Sequence, residues 1–292
     1  MADPDIDAPY ASSEQVAPLV RRVLARNPSA FTYTGTQSYV VGDERAVAVI
    51  DPGPYEEEHL GALLDTIGDA RLVAICCTHT HRDHSPLAAP LAQRTGAPVI
   101  GCAPLSLQDD GPRMDAAFDP TYAPDTVLGD GEEIGADGWT LRAVATPGHT
   151  SNHLCFALEG TGVLFTGDHV MGWSTTVVSP PDGDMSAYME SLQKLYAREQ
   201  DSVYFPAHGA KVEKPRQLVR GLIGHRRSRE RQILKLLDSG LREIEAMVPT
   251  MYKGVDKRLW PAAGRSVLAH LIDLERRGEV LRSGDSWERA VA

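Results

Sequence analysis

The chain has 292 residues, 42% apolar and 24% charged, a balance that is typical of a soluble globular protein with a sizeable core. No apolar run approaches the length of a membrane span, and the acidic residues 1–7 lack the features of a secretion signal, so we expect a cytoplasmic protein without a membrane partner. The formal charge of −11 is uneven, because residues 1–214 hold 13 Lys and Arg against 30 Asp and Glu, whereas residues 215–292 hold 16 against 10.

The first third of the chain alternates short apolar runs with turn residues. Residues 1–18 are polar and are expected to be loosely ordered, and residues 19–26 fit either a helix or a strand. Residues 31–41 alternate around Gly35 and predict two strand segments, and residues 46–50 predict another strand, closed by Asp51-Pro52-Gly53. Helical spacing predicts helices at 56–67 and 86–95, on either side of a β-like run at 72–77.

Directly after that β-like run, the segment at 78–84 gathers three imidazoles and a carboxylate. His79 and His81 would point to the same side of an extended chain, and Asp83 and His84 follow just past its end. Nitrogen and oxygen ligands of this mix suit zinc, with manganese or iron as alternatives. Because one zinc ion takes about four ligands, two ions that divide these residues need further ligands from elsewhere in the chain.

The middle of the chain supplies ligand-type residues at the ends of further predicted strands. Residues 103–125 carry four prolines and predict a long loop that shapes substrate entry. Strands are predicted at 126–128, 139–145, 153–158, 163–165 and 203–205, with a helix at 186–198. His149, Asp168 and His208 each follow one of these strands, close to glycine or proline residues that make sharp turns.

The full set of motifs, in this order, resembles the metallo-β-lactamase-fold hydrolase superfamily, which implies an α/β fold built as a four-layer αββα sandwich. The resemblance implies that one metal ion is held by His79, His81 and His149. It implies that a second is held by Asp83, His84 and His208, and that Asp168 bridges both. Two Zn²⁺ per chain are therefore expected, with manganese or iron as alternatives.

The resemblance also implies roles around the metals. A metal-bridging hydroxide would be the nucleophile, and Asp83 is the candidate catalytic residue for moving its proton. Asp51 is a candidate for orienting a ligand, because the corresponding aspartate of the family sits under the metal site. His153 and His169 lie beside ligands in the sequence, so they are candidates for orienting them, with contact to the substrate or simple packing as the alternatives. Four residues follow the bridging aspartate closely enough to line the substrate cleft: Trp173, Ser174, Thr175 and Thr176.

From residue 214 the chain becomes basic and helical. A long helix is predicted at 216–238, shorter helices at 241–247 and 266–277, and a hairpin around Ser283-Gly284. This order predicts a small winged-helix-like domain at 214–292, which follows a catalytic domain at 1–213 in the chain. The same module is attached to the catalytic domain in the lactamase-beta-like hydrolase and endoribonuclease group, which is the nearest resemblance.

Two functional classes remain open from the sequence. The first is a metal-dependent hydrolase of a small ester, thioester or lactone, with the C-terminal domain as a lid or a homodimer surface. The alternative is a single-strand-directed endoribonuclease, with β-lactam hydrolysis as a side activity, in which basic helix residues would contact RNA. Helical geometry places Arg216, Arg220, Arg227 and Arg231 in one sector and Arg226 and Arg229 outside it. The acidic catalytic domain counts against strong RNA binding.

Overall fold

Two β-sheets packed face to face form the main body in the computed structural model, which describes residues 9–105 and 118–290. The first sheet contains, in spatial order, β1 (Ser13–Ala17), β2 (Val20–Leu24), β3 (Gln37–Gly42), β4 (Ala46–Ile50), β5 (Arg71–Cys77), β6 (Val99–Gly101) and β7 (Thr126–Val127). The second contains β12 (Val203–Pro206), β11 (Val163–Gly167), β10 (Leu154–Leu158), β9 (Trp139–Ala145) and β8 (Glu133–Ala136).

Helices accompany the sheets, and their bounds are α1 (Glu57–Ile67), α2 (Ala88–Thr95), α3 (Met185–Tyr196), α4 (Pro215–Asp238), α5 (Ile244–Met251) and α6 (Trp260–Arg276). Helices α1 and α2 cover the first sheet, α3 and the start of α4 cover the second, and α5 and most of α6 belong to the C-terminal domain. Leu63 of α1 and Leu91 of α2 join the apolar cluster of the first sheet, which also contains Leu141 and Phe156 from the second. Tyr188 of α3 packs with a second cluster on the other side of the second sheet. The four-layer αββα order predicted from the sequence is confirmed.

The C-terminal domain has its own apolar core. Ile233 of α4 packs with Leu271 of α6 and with Trp287, which lies in a hairpin of β13 (Val280–Ser283) and β14 (Ser286–Arg289). Three helices and a hairpin form the predicted winged-helix domain. Because Val219 of α4 packs with α3 whereas Ile233 packs in the C-terminal core, α4 joins the two domains, and the limits 1–213 and 214–292 remain a prediction.

Most predicted elements are observed within a few residues, with four exceptions. Residues 13–17 form β1 where loose order was expected, and β6 and β8 were not predicted. The first predicted strand segment, around Phe31, is wrong, because local side chains there compete with strand pairing. Ser29 Oγ accepts hydrogen bonds from the backbone N–H groups of Phe31 and Thr32, and Asn27 Oδ1 accepts one from Thr36.

The predicted long loop at 103–125 lies partly outside the described residues. Within the described ranges, no helix combines the length and the apolar character needed to cross a bilayer.

Candidate metal centre

The seven predicted ligand residues lie together where strands of both sheets end. His79, His81, Asp83 and His84 follow β5 of the first sheet, whereas the other three follow β9, β11 and β12 of the second. Two backbone hydrogen bonds join these ends across the sandwich, from Leu154 N to Thr78 O at 2.8 Å and from Gln37 N to Ala207 O at 2.8 Å. All seven side chains are buried or half-buried, so their charges and lone pairs are shielded from bulk water.

Three imidazoles form the first ligand group. His81 Nδ1 lies 3.0 Å from His79 Nε2 and 3.2 Å from His149 Nε2. Around a tetrahedral zinc ion with Zn–N bonds near 2 Å, ligand nitrogens lie about 3.3 Å apart. The three nitrogens therefore have the spacing that one ion requires, and His81 presents Nδ1 where the other two present Nε2.

Asp83, His84 and His208 form the second group. Asp83 Oδ2 lies 3.4 Å from His84 Nε2 and 3.2 Å from His208 Nε2. Asp168 lies between the two groups, with Oδ1 3.2 Å from His208 Nε2 and 3.6 Å from His84 Nε2, and with Oδ2 3.7 Å from His149 Nε2. One carboxylate oxygen thus faces each group, which is the geometry of a bridging ligand.

The second ring nitrogen of four of these histidines has an acceptor outside the two ligand groups. Nδ1 of His79 contacts Thr78 Oγ1 at 3.0 Å, and Nδ1 of His84 contacts Asp51 Oδ2 at 2.9 Å. Nδ1 of His149 donates to Val177 O at 2.7 Å, and Nδ1 of His208 donates to Gly35 O at 3.2 Å. Such contacts fix the tautomer, so each Nε2 lone pair is directed into the centre.

Three buried atoms of the centre have no hydrogen-bond partner within the described ranges: His84 Nε2, Asp83 Oδ1 and Asp168 Oδ1. An unpartnered buried polar atom costs free energy, and metal coordination would satisfy His84 Nε2 and Asp168 Oδ1. Asp83, by contrast, faces the second ligand group with Oδ2 and keeps Oδ1 free. The donor set of five imidazoles and two carboxylates therefore fits a pair of divalent metal ions.

In most of these groups the local electrostatics favour the protonation state that binds a metal ion, which is a neutral imidazole or an ionised carboxylate. Burial, together with the neighbouring imidazoles, holds the pKa of His79 well below its usual range and lowers the pKa of His81 to about 3. Burial alone would raise the pKa of Asp83, but His84 and His208 outweigh it and hold that pKa well below its usual range. The carboxylates around His84 outweigh its burial and raise its pKa, so without an ion His84 carries a proton that a bound ion must displace.

Asp51 lies beside the metal centre and contacts His84 of the second ligand group directly and His79 of the first through Thr78. The carboxylate is buried, and it accepts from Thr78 N at 2.7 Å, from Thr78 Oγ1 at 2.8 Å and from His84 Nδ1. The Thr78 hydroxyl in turn contacts His79, so a single carboxylate aligns one ligand from each group. The backbone φ of Asp51 is +50°, an unusual value for a residue other than glycine and one that marks a constrained turn.

His153 and His169 lie behind Asp168 with different contacts. His153 Nε2 accepts from the backbone N of Asp168 at 3.2 Å, while its Nδ1 contacts Thr146 Oγ1 at 2.9 Å. The His169 ring has no hydrogen-bond partner among the described residues and packs on Tyr188 with ring centres 4.7 Å apart. His153 therefore holds the Asp168 backbone, whereas His169 acts by packing.

The four predicted cleft residues line one cavity, and two of them also make contacts that hold the site together. Thr176 is buried, and its hydroxyl donates to the carbonyl of Asp168 at 2.5 Å. Trp173 stacks on Tyr33 with ring centres 5.0 Å apart. All four predicted residues, Trp173, Ser174, Thr175 and Thr176, line a cavity of about 220 Å³ next to the metal centre.

Three apolar residues that the sequence did not single out stand over the metal centre. Phe31, Met171 and Val177 line both the 220 Å³ cavity and a smaller cavity of about 40 Å³ whose other lining residues are ligands. No signal in the sequence marks these three residues. Phe31 lies in a segment predicted as a strand, and the carbonyl oxygen of Val177, which accepts a hydrogen bond from His149, is a backbone atom that no residue type reveals. The two cavities therefore share one apolar rim.

Comparisons with known proteins agree with this geometry. Residues 32–208 match the family described as the metallo-beta-lactamase superfamily, and residues 244–287 match the beta-lactamase associated winged helix domain. A beta-lactamase-like protein 2 homolog of Drosophila melanogaster is 34% identical over 89% of this chain and 89% of its own length. An atrochrysone carboxyl ACP thioesterase of Cryptosporiopsis is 31% identical over 84% of this chain and 71% of its own.

Solved structures show the same fold. A beta-lactamase domain protein from Burkholderia ambifaria superposes with a TM-score of 0.79 at 23% identity, covering 97% of this chain and 94% of its own. A second structure, in a di-iron-bound form, has a TM-score of 0.51 at 25% identity and covers 66% of this chain and 96% of its own.

Proposed function

The chain belongs to the metallo-beta-lactamase superfamily and is a hydrolase, and we propose that it uses two zinc ions to cleave a small thioester or ester. The observation that carries the proposal is the position of Asp168, whose two carboxylate oxygens face different ligand groups. A site for one ion would need only one of these oxygens, whereas a site for two ions would use both. The di-iron form of a solved relative supports two ions and keeps iron as an alternative metal.

The side chains of the centre divide the work of hydrolysis. Bound divalent ions would polarise the substrate carbonyl and lower the pKa of water towards neutrality. Asp83 Oδ1 is buried and has no hydrogen-bond partner in the described part of the chain, so it is placed to hold a proton during the reaction. Phe31, Met171 and Val177 form an apolar rim that excludes bulk water and strengthens electrostatic interactions below it.

Thioesters are the favoured substrate class for two reasons. Several relatives with more than 30% identity are named thioesterases. The cleft opens into a cavity with largely apolar walls, which suits an acyl group rather than an extended polyanion. Lactones and β-lactams present a similar carbonyl and are secondary candidates.

Endoribonuclease activity is the second candidate, and exposed arginines on α4 favour it. Arg220, Arg227 and Arg231 are exposed and have no ion-pair partner among the described residues. The acidic catalytic domain repels a polyanion, however, and phosphate contacts on α4 alone would give weak, salt-sensitive binding.

One experiment tests the proposal and separates the two candidates. The protein is purified without chelators, its metals are counted by elemental analysis, and it is assayed on an acyl-N-acetylcysteamine thioester, 4-nitrophenyl acetate and a single-stranded oligoribonucleotide. We expect about two ions per chain and thioester turnover that stops on chelation and returns with zinc. A protein that never holds more than one ion would refute the binuclear site, and cleavage of RNA alone would support the second candidate.

A further inference from the structure

The larger cavity lies between the catalytic sandwich and the C-terminal domain, and we call it the distal pocket. One wall is the segment from Met171 to Val177, and the other consists of residues from α4, from the stretch between α5 and α6, and from α6, including Arg226 and Arg229. Its volume of about 220 Å³ corresponds to roughly seven water molecules. Because it shares Phe31, Met171 and Val177 with the metal-site cavity, a ligand at the metal centre can extend into it.

Two arginines of the distal pocket have no carboxylate partner. Arg226 is only 3% exposed, and its guanidinium donates to Thr176 O and lies 5.0 Å over the Tyr188 ring. Arg229 is half-buried; it donates to Met251 O at 2.6 Å and lies 4.3 Å over the Tyr252 ring. Within the described ranges, neither arginine forms an ion pair. Buried charges are normally paired, so this pocket has an uncompensated positive charge.

Several buried donors in the same pocket also have no acceptor. Trp173 Nε1, Arg226 Nε and Arg229 Nε are buried and make no hydrogen bond with any described residue. An indole N–H and a guanidinium N–H can only donate, so among the described residues this wall has unused donors and lacks matching acceptor atoms. Burial and the two arginines lower the pKa of the neighbouring His225 to about 4, which agrees with a positive local potential.

Most of the other residues that line the distal pocket are apolar. Phe31, Met171, Val255, Leu259 and Ala263 line it, together with Trp173. A small inorganic anion would leave the apolar lining in contact with water. A ligand with an apolar or aromatic body and an anionic end would contact both the apolar lining and the arginines.

We propose that the distal pocket binds an anionic oxygen group, a carboxylate or a phosphate, carried by the apolar part of the substrate and recognised by Arg226 and Arg229. The inference rests on the proposed function for its link to catalysis, because the anion would lie away from the bond that is cleaved. It assigns a specificity role to the C-terminal domain, which contributes both arginines and none of the metal ligands.

Equilibrium binding tests the pocket without requiring turnover. The metal-loaded, full-length protein is titrated with 2-naphthoate, 2-naphthyl phosphate and neutral 2-naphthamide by calorimetry. We expect at least one anionic probe to bind about tenfold more tightly than the amide, and the tighter of the two identifies carboxylate or phosphate as the group. Equal affinity for the three probes would overturn the proposal.

Variants of α4 show whether the anion binds in the pocket or on the metals. Arg229→Gln is expected to remove the preference for the anionic probe, about a tenfold loss. The matched control is Arg227→Gln, which makes the same charge change at an exposed position of the same helix and should keep the preference. Equal behaviour of the two variants would overturn the proposal. If Arg229→Gln does not fold, Trp173→Phe removes one donor and should weaken anionic binding several-fold, and an unchanged affinity would refute the assignment.

Kinetics then connect the pocket to catalysis. A series of 4-nitrophenyl esters with ω-carboxylate chains is compared with methyl-ended esters of equal length. We expect a higher kcat/KM for the carboxylate ester at one or more lengths, and we expect Arg229→Gln to abolish that ratio. If neither these esters nor the acyl-N-acetylcysteamine thioester is hydrolysed, the proposed function fails while the binding result still decides the pocket. If esters are hydrolysed without any dependence on Arg229, the pocket is refuted as a specificity element and the proposed function stands.

Discussion

Asp51 Oδ2 accepts a hydrogen bond from His84 Nδ1 at 2.9 Å, so a carboxylate outside both ligand groups sets the direction in which His84 faces the metal centre. The same carboxylate accepts from the backbone and hydroxyl of Thr78, which immediately precedes His79. Asp51 therefore couples the alignment of the two groups, and its replacement should affect both ions.

We predict that Asp51→Asn lowers zinc affinity about 10- to 100-fold, because an amide oriented to accept from Thr78 would present N–H to His84 and disturb its tautomer. The measurement is a zinc titration against a chelating dye, with kcat/KM in parallel. Asp65→Asn changes an exposed carboxylate and serves as the control. Wild-type zinc affinity in folded Asp51→Asn would show that His84 is oriented by packing alone.

We predict that Asp168→Ala reduces turnover by about 10³-fold or more while the fold is retained, because the oxygen that faces each ligand group is lost. The assay is thioester hydrolysis at saturating zinc, with near-ultraviolet circular dichroism to report packing. Asp69→Ala, at an exposed position, should have wild-type activity. Near wild-type turnover in folded Asp168→Ala would remove this residue from the mechanism.

Gly172 lies where two functional loops touch, so we predict that Gly172→Ala damages both stability and activity. A Cβ there would lie 1.8 Å from the carbonyl oxygen of Ala210, so Trp173 and the loop that follows His208 must move apart. We expect a loss of about 1–3 kcal/mol in the free energy of unfolding and a lower kcat/KM.

The control for this prediction is the same change at Gly221, an exposed position of α4 where an added Cβ meets nothing within 4 Å. Gly221→Ala should stabilise the protein by about 0.4–1 kcal/mol, because it restricts the unfolded chain and favours helix. Urea denaturation of both variants gives the two free energies. Identical changes in the two variants would argue against close packing at Gly172.

His270 gives a prediction for the dependence of stability on pH. The ring is buried on α6, both of its nitrogens lack hydrogen-bond partners among the described residues, and burial together with Arg226 lowers its pKa to about 3 from an ordinary value of 6.5. Above pH 6.5 the ring is neutral in both states and contributes nothing. Below that pH only the unfolded chain takes up the proton, so stability falls until the pH approaches 3.

We therefore predict that His270→Leu loses less stability on acidification than the wild type, by about 2 kcal/mol between roughly pH 7.5 and pH 5. Urea denaturation at both pH values measures the difference, and the other titrating groups cancel in the comparison because both proteins contain them. Equal pH dependence of the two proteins would mean that His270 is protonated in the folded state.

The sequence by itself predicted the elements whose causes are local. The apolar run that forms β5 is followed directly by the segment that contains His79 and His81, so the end of this strand marks the first ligands. Helix α1 and the turn of the C-terminal hairpin could likewise be predicted from the sequence, because each depends on neighbours within a few residues. The family motifs added the order of the ligands, and with it the αββα sandwich.

The tertiary structure alone decided how these parts meet. Nothing in the spacing indicates that His81 presents Nδ1 to a group containing His149, 68 positions away, or that Asp168 gives one oxygen to each group. Helical periodicity excluded Arg226 and Arg229 from the basic sector of α4 but could not say that they face a cavity. Local spacing determines which side chains share a face, whereas packing between distant segments determines what that face contacts, because the free energy of burial depends on the whole fold.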